Sequence, residues 1–145
     1  MKKKAVIFDI DGTLFDDSHR KHLVEAGKWA EYFAAGANDT PHMKIIAELK
    51  AQRNAGRAIV LMTGCPEKHR QITEEKLARA GVVVDALLMR PDNNFVKNHD
   101  LKAAWLNEMS GYNFIAAFDD MPGSVAAFKT FGINAFLVKD GVICG

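Results

Sequence analysis

The stretch "AVIFDIDGTLFDD", residues 5–17, sets a run of apolar residues directly against four carboxylates, Asp9, Asp11, Asp16 and Asp17. "AVIFD" is short and almost continuously apolar, the pattern of a strand covered on both faces. An ionised carboxylate at the end of such a strand is unfavourable unless a cation or a hydrogen-bond network compensates it. Residues elsewhere in the chain must supply that compensation.

Working outward, runs of the same kind recur as "AIVLM" (58–62), "VDALLM" (84–89), "FIAAFD" (114–119) and "AFLV" (135–138). Helical patterns separate them. The segments 41–56 and 66–81 each carry Pro near the start and Gly at the end, the asymmetry helices favour. The segment 98–111 opens on Asn98 as a cap, and 122–132 closes on Gly132. This alternation predicts a doubly wound parallel α/β sheet forming one domain over 1–145. No repeat, low-complexity tract or linker divides it. Ligands of such sheets bind beyond the carboxyl ends of the strands.

Bulk properties narrow the functional classes. With 145 residues, 48% hydrophobic and 26% charged, the chain is long enough for one sizeable core. A net charge of +1 creates no global basic field, so contact with nucleic acid would require a local basic patch. No apolar run approaches the roughly 18 residues of a membrane span. Met1 to Lys4 leads straight into a strand rather than into a signal peptide. Cys65 and Cys144 lie far apart without metal-type spacing. The expectation is a reducing, cytoplasmic setting away from membranes.

Oxygen-bearing residues follow three of the strands: Asp9 and Asp11, then Thr63 and Gly64, then Asp119 and Asp120. Residues two apart on a strand point the same way, so Asp9 and Asp11 are expected to address one point. Four converging carboxylates suit a hard divalent cation, Mg2+ above all. Carboxylate, metal and nearby donors together suit phosphoryl transfer through an aspartyl-phosphate. In that scheme Asp9 is the nucleophile and Asp11 the general acid and base. Thr63 bonds a phosphoryl oxygen and a lysine neutralises further charge, Lys102 before Lys97.

"DIDGT", "LMTG", a lysine and "FDD" together resemble the four-motif signature of the haloacid dehalogenase (HAD) superfamily of aspartate-based phosphohydrolases, over about residues 5–138. The resemblance implies Asp9 as nucleophile and Asp11 as acid and base. It implies Thr63, with Gly64, and Lys102 on the phosphate. Asp9, the Asp11 carbonyl, Asp119 and Asp120 would hold Mg2+. It also implies a sheet in which the first strand lies between the fourth and the second. A narrower likeness sits in "DGTLFDDSHRKH", "LLMRP" with "HDLK", and "FDDMP". These are similar to the phosphatase domain of phage polynucleotide kinase-phosphatases, which remove 3′-phosphates from nucleic-acid ends. The GxxxxGK[ST] loop of their kinase half does not occur in the chain. That subgroup usually carries Arg where this chain has Cys65, Val96 and Met121, so three bidentate phosphate forks are missing.

Between Asp11 and Thr63 only residues 15–40 are free of predicted core elements. They are read as a short cap-like insert, one helix with loops, leaving the site capless or minimally capped. An open site suits polymer ends, and a second copy in an oligomer is the other possible cover. Around it, Arg20 with His19 and His22 reads as a solvated face or as a lip gripping substrate. Arg90 reads as a phosphate contact or a structural pair. Lys68 to Arg70, with Lys76 and Arg79, read as a solvated helix face, and Asp16 and Asp17 as solvated acids. Trp29, Tyr32 and Phe33 read as packing ahead of base stacking, and Cys65 as a small filler ahead of a reactive thiol. The expected function is a Mg2+-dependent phosphomonoesterase acting on nucleic-acid 3′ ends. Mononucleotides or other small phosphoesters are the alternative within that chemistry, and a non-catalytic phospho-binding module is the rival class. A receiver domain is disfavoured by order, since there an acidic pair precedes the phosphorylated Asp.

Overall fold

The computed structural model describes residues 2–145; Met1 lies outside them. In chain order it contains β1 (Lys3–Phe8), β2 (Phe15–Asp16), α1 (Lys21–Glu25), α2 (Trp29–Ala34), β3 (Thr40–Pro41), α3 (Met43–Asn54), β4 (Ala58–Pro66), α4 (Arg70–Arg79), β5 (Ala86–Arg90), α5 (Asn98–Glu108), β6 (Tyr112–Asp119), α6 (Pro122–Thr130), β7 (Asn134–Lys139) and β8 (Val142–Ile143). The central sheet runs β5-β4-β1-β6-β7-β8, with β5, β4, β1, β6 and β7 parallel and β8 added antiparallel at the edge. β1 therefore lies between β6 and β4, as the superfamily resemblance implies.

Alternation along the two central strands explains why helices cover both faces. Val6 and Phe8 of β1 with Ile59 and Leu61 of β4 point to one side, where α3 packs Ile45, Ile46 and Leu49 and α4 packs Leu77. Ala5 and Ile7 with Val60 and Met62 point to the other, where α6 packs Val125 and Phe128 and α5 packs Trp105 and Leu106. Each fully buried large aliphatic contributes about 1.5–3 kcal/mol, so the two-sided burial accounts for the near-continuous apolar reading of these strands. No helix among the described residues is long and apolar enough to cross a membrane.

Two local expectations change. Residues 15–40 form more than one helix with loops. Their ends pair as a two-stranded ribbon, Phe15 with Pro41 and Asp16 with Thr40, and Gly27 at φ +73° breaks the span into α1 and α2. β4 also continues through Pro66, so Thr63 and Gly64 sit within the strand. The β4–β5 register shifts between Thr63 and Pro66, where Arg90 Nε donates to the Gly64 carbonyl at 2.8 Å.

Candidate active site

Asp9 leaves the end of β1, while Asp119 and Asp120 leave β6 beside it; the Asp9 amide donates to the Phe118 carbonyl at 3.0 Å. One oxygen from each of the three carboxylates lies within 4.8 Å of the others. Lys102, on α5, is 1% exposed, and its ammonium donates to Asp9 at 3.0 Å and to Asp119 at 2.6 Å. Three carboxylates against one ammonium leave two uncompensated negative charges. The titration of the cluster reflects that shortage. Burial, then the charge of Asp9, pushes Asp120 up to about 9. Burial also pushes Asp119 up, to about 6, against the pull of Lys102. Burial disfavours the Lys102 cation, yet Asp119 and Asp9 outweigh it and raise its pKa. A set of carboxylate oxygens short by two charges fits a hard divalent cation such as Mg2+.

The turn after β1 is built to this cluster. The Thr13 hydroxyl lies 3.1 Å from Asp9 and 3.2 Å from Asp120. Gly12 adopts φ +85°, and a Cβ there would collide with the Asp120 carboxylate, so glycine is required for space as well as for backbone freedom.

Asp11 shares no hydrogen-bond partner with Asp9. β1 ends at Phe8 and the chain then curls, with the Thr13, Leu14 and Phe15 amides all donating to the Ile10 carbonyl. Strand alternation therefore stops before Asp11. Its carboxylate accepts from Arg20 at 2.8 Å and from Lys76 at 3.1 Å, and both cations also bond Asp39. Both acids nonetheless line one cleft of about 900 Å3. Arg20 is 1% exposed, lies over the Tyr32 ring at 4.1 Å and donates to the Tyr32 carbonyl. It is neither a solvated face nor a lip. Lys76 is likewise buried rather than solvated, and Asp17 is buried where it accepts from the Tyr32 hydroxyl.

Lys76 and Asp39 are the contacts that sequence reading missed. One signal was present: Thr73, Lys76 and Leu77 form the buried stripe of α4, so the lysine falls on the apolar face. Burial alone would raise the Asp39 carboxyl, but the Arg20 hydrogen bond and the Lys76 charge pull it below its ordinary value. Two cations and two carboxylates thus balance in the interior. Asp39→Ala leaves both cations to share Asp11, an uncompensated buried charge costing about 3–5 kcal/mol. The expected result is a thermal midpoint lower by roughly 10 °C in a melt followed by circular dichroism. A midpoint within a degree or two of the parent would show that the network carries little stability.

Thr63 is buried at the cleft floor. Its oxygen accepts the Cys65 amide at 3.1 Å, leaving the hydroxyl proton free to donate. Gly64 lines the same cleft, and a Cβ there would strike the Asn98 amide. Lys97 sits exposed at the cleft mouth, just before α5, while Lys102 lies buried behind the cleft lining, bonded to Asp9 and Asp119. Arg90 commits its guanidinium to the carbonyls of Gly64, Asn94 and Val96 and to Asn98 Oδ1. It is a brace. Asn98, its oxygen so occupied, does not cap α5; Lys97 holds the cap position without a side-chain bond. Burial, then Asp11, pushes the Cys65 thiol up to about 12, which makes it an inert filler at neutral pH.

The family model described as the polynucleotide kinase PNKP phosphatase domain matches residues 3–142. A chain in the structure of the Pnkp1/Rnl/Hen1 complex superimposes with a TM-score of 0.80 at 26% identity, over 95% of this chain and 46% of that one. A chain of the Pnkp1/Rnl/Hen1 RNA repair complex gives 0.76 at 25%, over 95% and 43%. This chain thus spans less than half the length of either. The class C acid phosphatase from Bacillus anthracis with tungstate bound gives 0.66 at 18%, over 97% and 68%, a likeness of fold. A comparison with curated protein sequences finds no match.

Proposed function

The chain belongs to the family of PNKP phosphatase domains within the HAD superfamily, and from that premise we propose that it is a Mg2+-dependent phosphomonoesterase releasing 3′-phosphates from nucleic-acid ends through an aspartyl-phosphate. The observation that carries this reading is the Asp9, Asp119, Asp120 and Lys102 cluster, with its two negative charges in excess, beside a free Thr63 proton. Asp9, the Asp11 carbonyl, Asp119 and Asp120 would hold the ion. A bound divalent cation supplies charge neutralisation and Lewis acidity to the phosphoryl oxygens.

The protein groups then divide the work. Asp9 attacks phosphorus as the ester oxygen leaves, its approach to a dianion eased by the Lys102 ammonium. Thr63 donates its free hydroxyl proton to a phosphoryl oxygen. Asp11, held by Arg20 and Lys76, gives a proton to the departing oxygen and later takes one from the water that hydrolyses the acyl phosphate. Rigid retention of that carboxylate is worth most if it aligns the proton transfer, since misplacement by about 1 Å costs on the order of a hundredfold.

The RNA repair complex among the structural neighbours supports a nucleic-acid substrate. Cys65, Val96 and Met121, without the arginine forks of the subgroup, favour a second reading in which small phosphoesters are the substrates. The test is phosphate release with Mg2+ from a 3′-phosphorylated oligonucleotide beside 3′- and 5′-mononucleotides at equal concentration. The oligonucleotide is expected to have the highest kcat/KM. Equal or better turnover of mononucleotides would transfer the assignment to small substrates.

A further inference from the structure

At the mouth of the cleft stand side chains that the phosphoryl-transfer scheme does not use. Trp29 is 53% exposed, yet it is not loosely held. Its ring stacks on Phe33 at 6.0 Å and meets the edge of Tyr32 at 5.9 Å, and Phe33 lies against the His69 ring at 5.6 Å. One indole face is thus fixed from beneath while much of the ring stays open. Across the mouth, Phe95 is 90% exposed. Arg90 Nη1 donates to the carbonyls of both its neighbours, Asn94 and Val96, so the backbone on either side is pinned while the phenyl ring projects outward. Both rings line the cleft that holds Asp9. Lys21, Lys68 and Lys97 line it too, and among the described residues none of the three pairs with a carboxylate.

Two open aromatic faces and three unpaired ammonium groups around a phosphate-handling floor match one kind of occupant. Single-stranded polynucleotide offers bases that stack on aromatic rings and phosphates that meet lysines, whatever the sequence. A base within a duplex has both faces covered and offers no such surface. A phosphopeptide would meet the lysines but has no regular use for two rings. We infer that Trp29 and Phe95 are base-stacking platforms for the last nucleosides of a single-stranded 3′-phosphorylated end, with Lys21, Lys68 and Lys97 taking the adjoining backbone phosphates. The inference rests on the phosphatase reading above and adds to it which part of the substrate is gripped, and by what.

The discriminating experiment compares two short 3′-phosphorylated single strands with the same phosphates, one of ordinary nucleotides throughout and the other with its last two residues abasic. The protein is expected to favour the ordinary end by roughly 5- to 100-fold in kcat/KM, most of it in KM, the range that base–aromatic stacking supplies. Phe95→Ala, at a position exposed enough to leave the core alone, is expected to shrink that ratio. Trp29→Phe, which keeps a ring, is expected to preserve more of it than Trp29→Ala. Equal turnover of the two strands by the parent protein overturns the stacking inference while leaving the nucleic-acid assignment in place. So does a Phe95→Ala protein that loses the same factor on both strands. Release of phosphate from small esters but from neither strand overturns the nucleic-acid assignment itself, and the stacking inference with it.

Discussion

Asp9→Asn is expected to abolish phosphate release, lowering kcat by about 10^4-fold or more, the scale on which enzymes lose rate when a nucleophile is removed. The amide keeps the shape of the side chain but offers no charged oxygen to attack phosphorus. The fold is expected to survive. Lys102 retains its 2.6 Å bond to Asp119, and the substitution relieves one of three crowded carboxylates. A melt beside the phosphate assay separates the two effects, since an unfolded protein loses both. Turnover within a few-fold of the parent, on any phosphomonoester, would place the nucleophile elsewhere and remove the aspartyl-phosphate from the scheme.

Chelation is expected to be as severe in activity and to reveal its cause in stability. Without metal, Asp119 and Asp120 hold protons in the folded chain that the unfolded chain has already released, because burial and the nearby charge of Asp9 raise them to about 6 and about 9. For an acid whose folded pKa is raised, the folded state binds more protons between the unfolded and folded values. Stability therefore falls as pH rises through that window, here from about 4 to about 9. In the proposed scheme a divalent cation would replace those protons. The rise in thermal midpoint produced by saturating Mg2+ is thus expected to be small near the acid end of the window and to grow toward the alkaline end, while EDTA followed by dialysis removes turnover throughout. Activity that persists after dialysis, or a midpoint indifferent to Mg2+ at every pH, would refute a cation at these acids.

Most of this architecture can be read from residue order because its causes are local. The apolar runs at Ala5 and Ala58 are buried on both faces, so each position along them is informative. The helices between the core strands carry their own start and stop residues. Asp9, Asp119, Asp120 and Lys102 follow from which strands and helices lie next to one another, and a doubly wound sheet constrains that strongly. What was not legible depends on partners that no pattern announces. Arg20 and Lys76 look solvated until Asp39 is known to lie between them, and Asp39 sits at the far end of the insert, past the helical spacing of Trp29, Tyr32 and Phe33. Asp11 takes other partners than Asp9 because a strand ends one residue early, a boundary set by the hydrogen bonds of the following turn. Asn98 looks like a helix cap, and its oxygen is instead taken by Arg90, eight residues away.

The antiparallel ribbon of β2 and β3 also bears on how a chain of this kind can change. Because Phe15 faces Pro41 and Asp16 faces Thr40, the insert leaves and re-enters the core at one spot. Its length is then set by a ring-closure entropy that grows only logarithmically, with each doubling costing about 0.6 kcal/mol. Arg20, close after the exit, and Asp39, just before the return, are the two fixed points that tie the loop to Lys76 and Asp11. Descendants of this chain are free to lengthen, shorten or re-sequence the exposed turns between them, provided Tyr32 keeps its place under Arg20 and beside Asp17, and so to remodel the wall over the cleft while the floor and its sheet stay as they are.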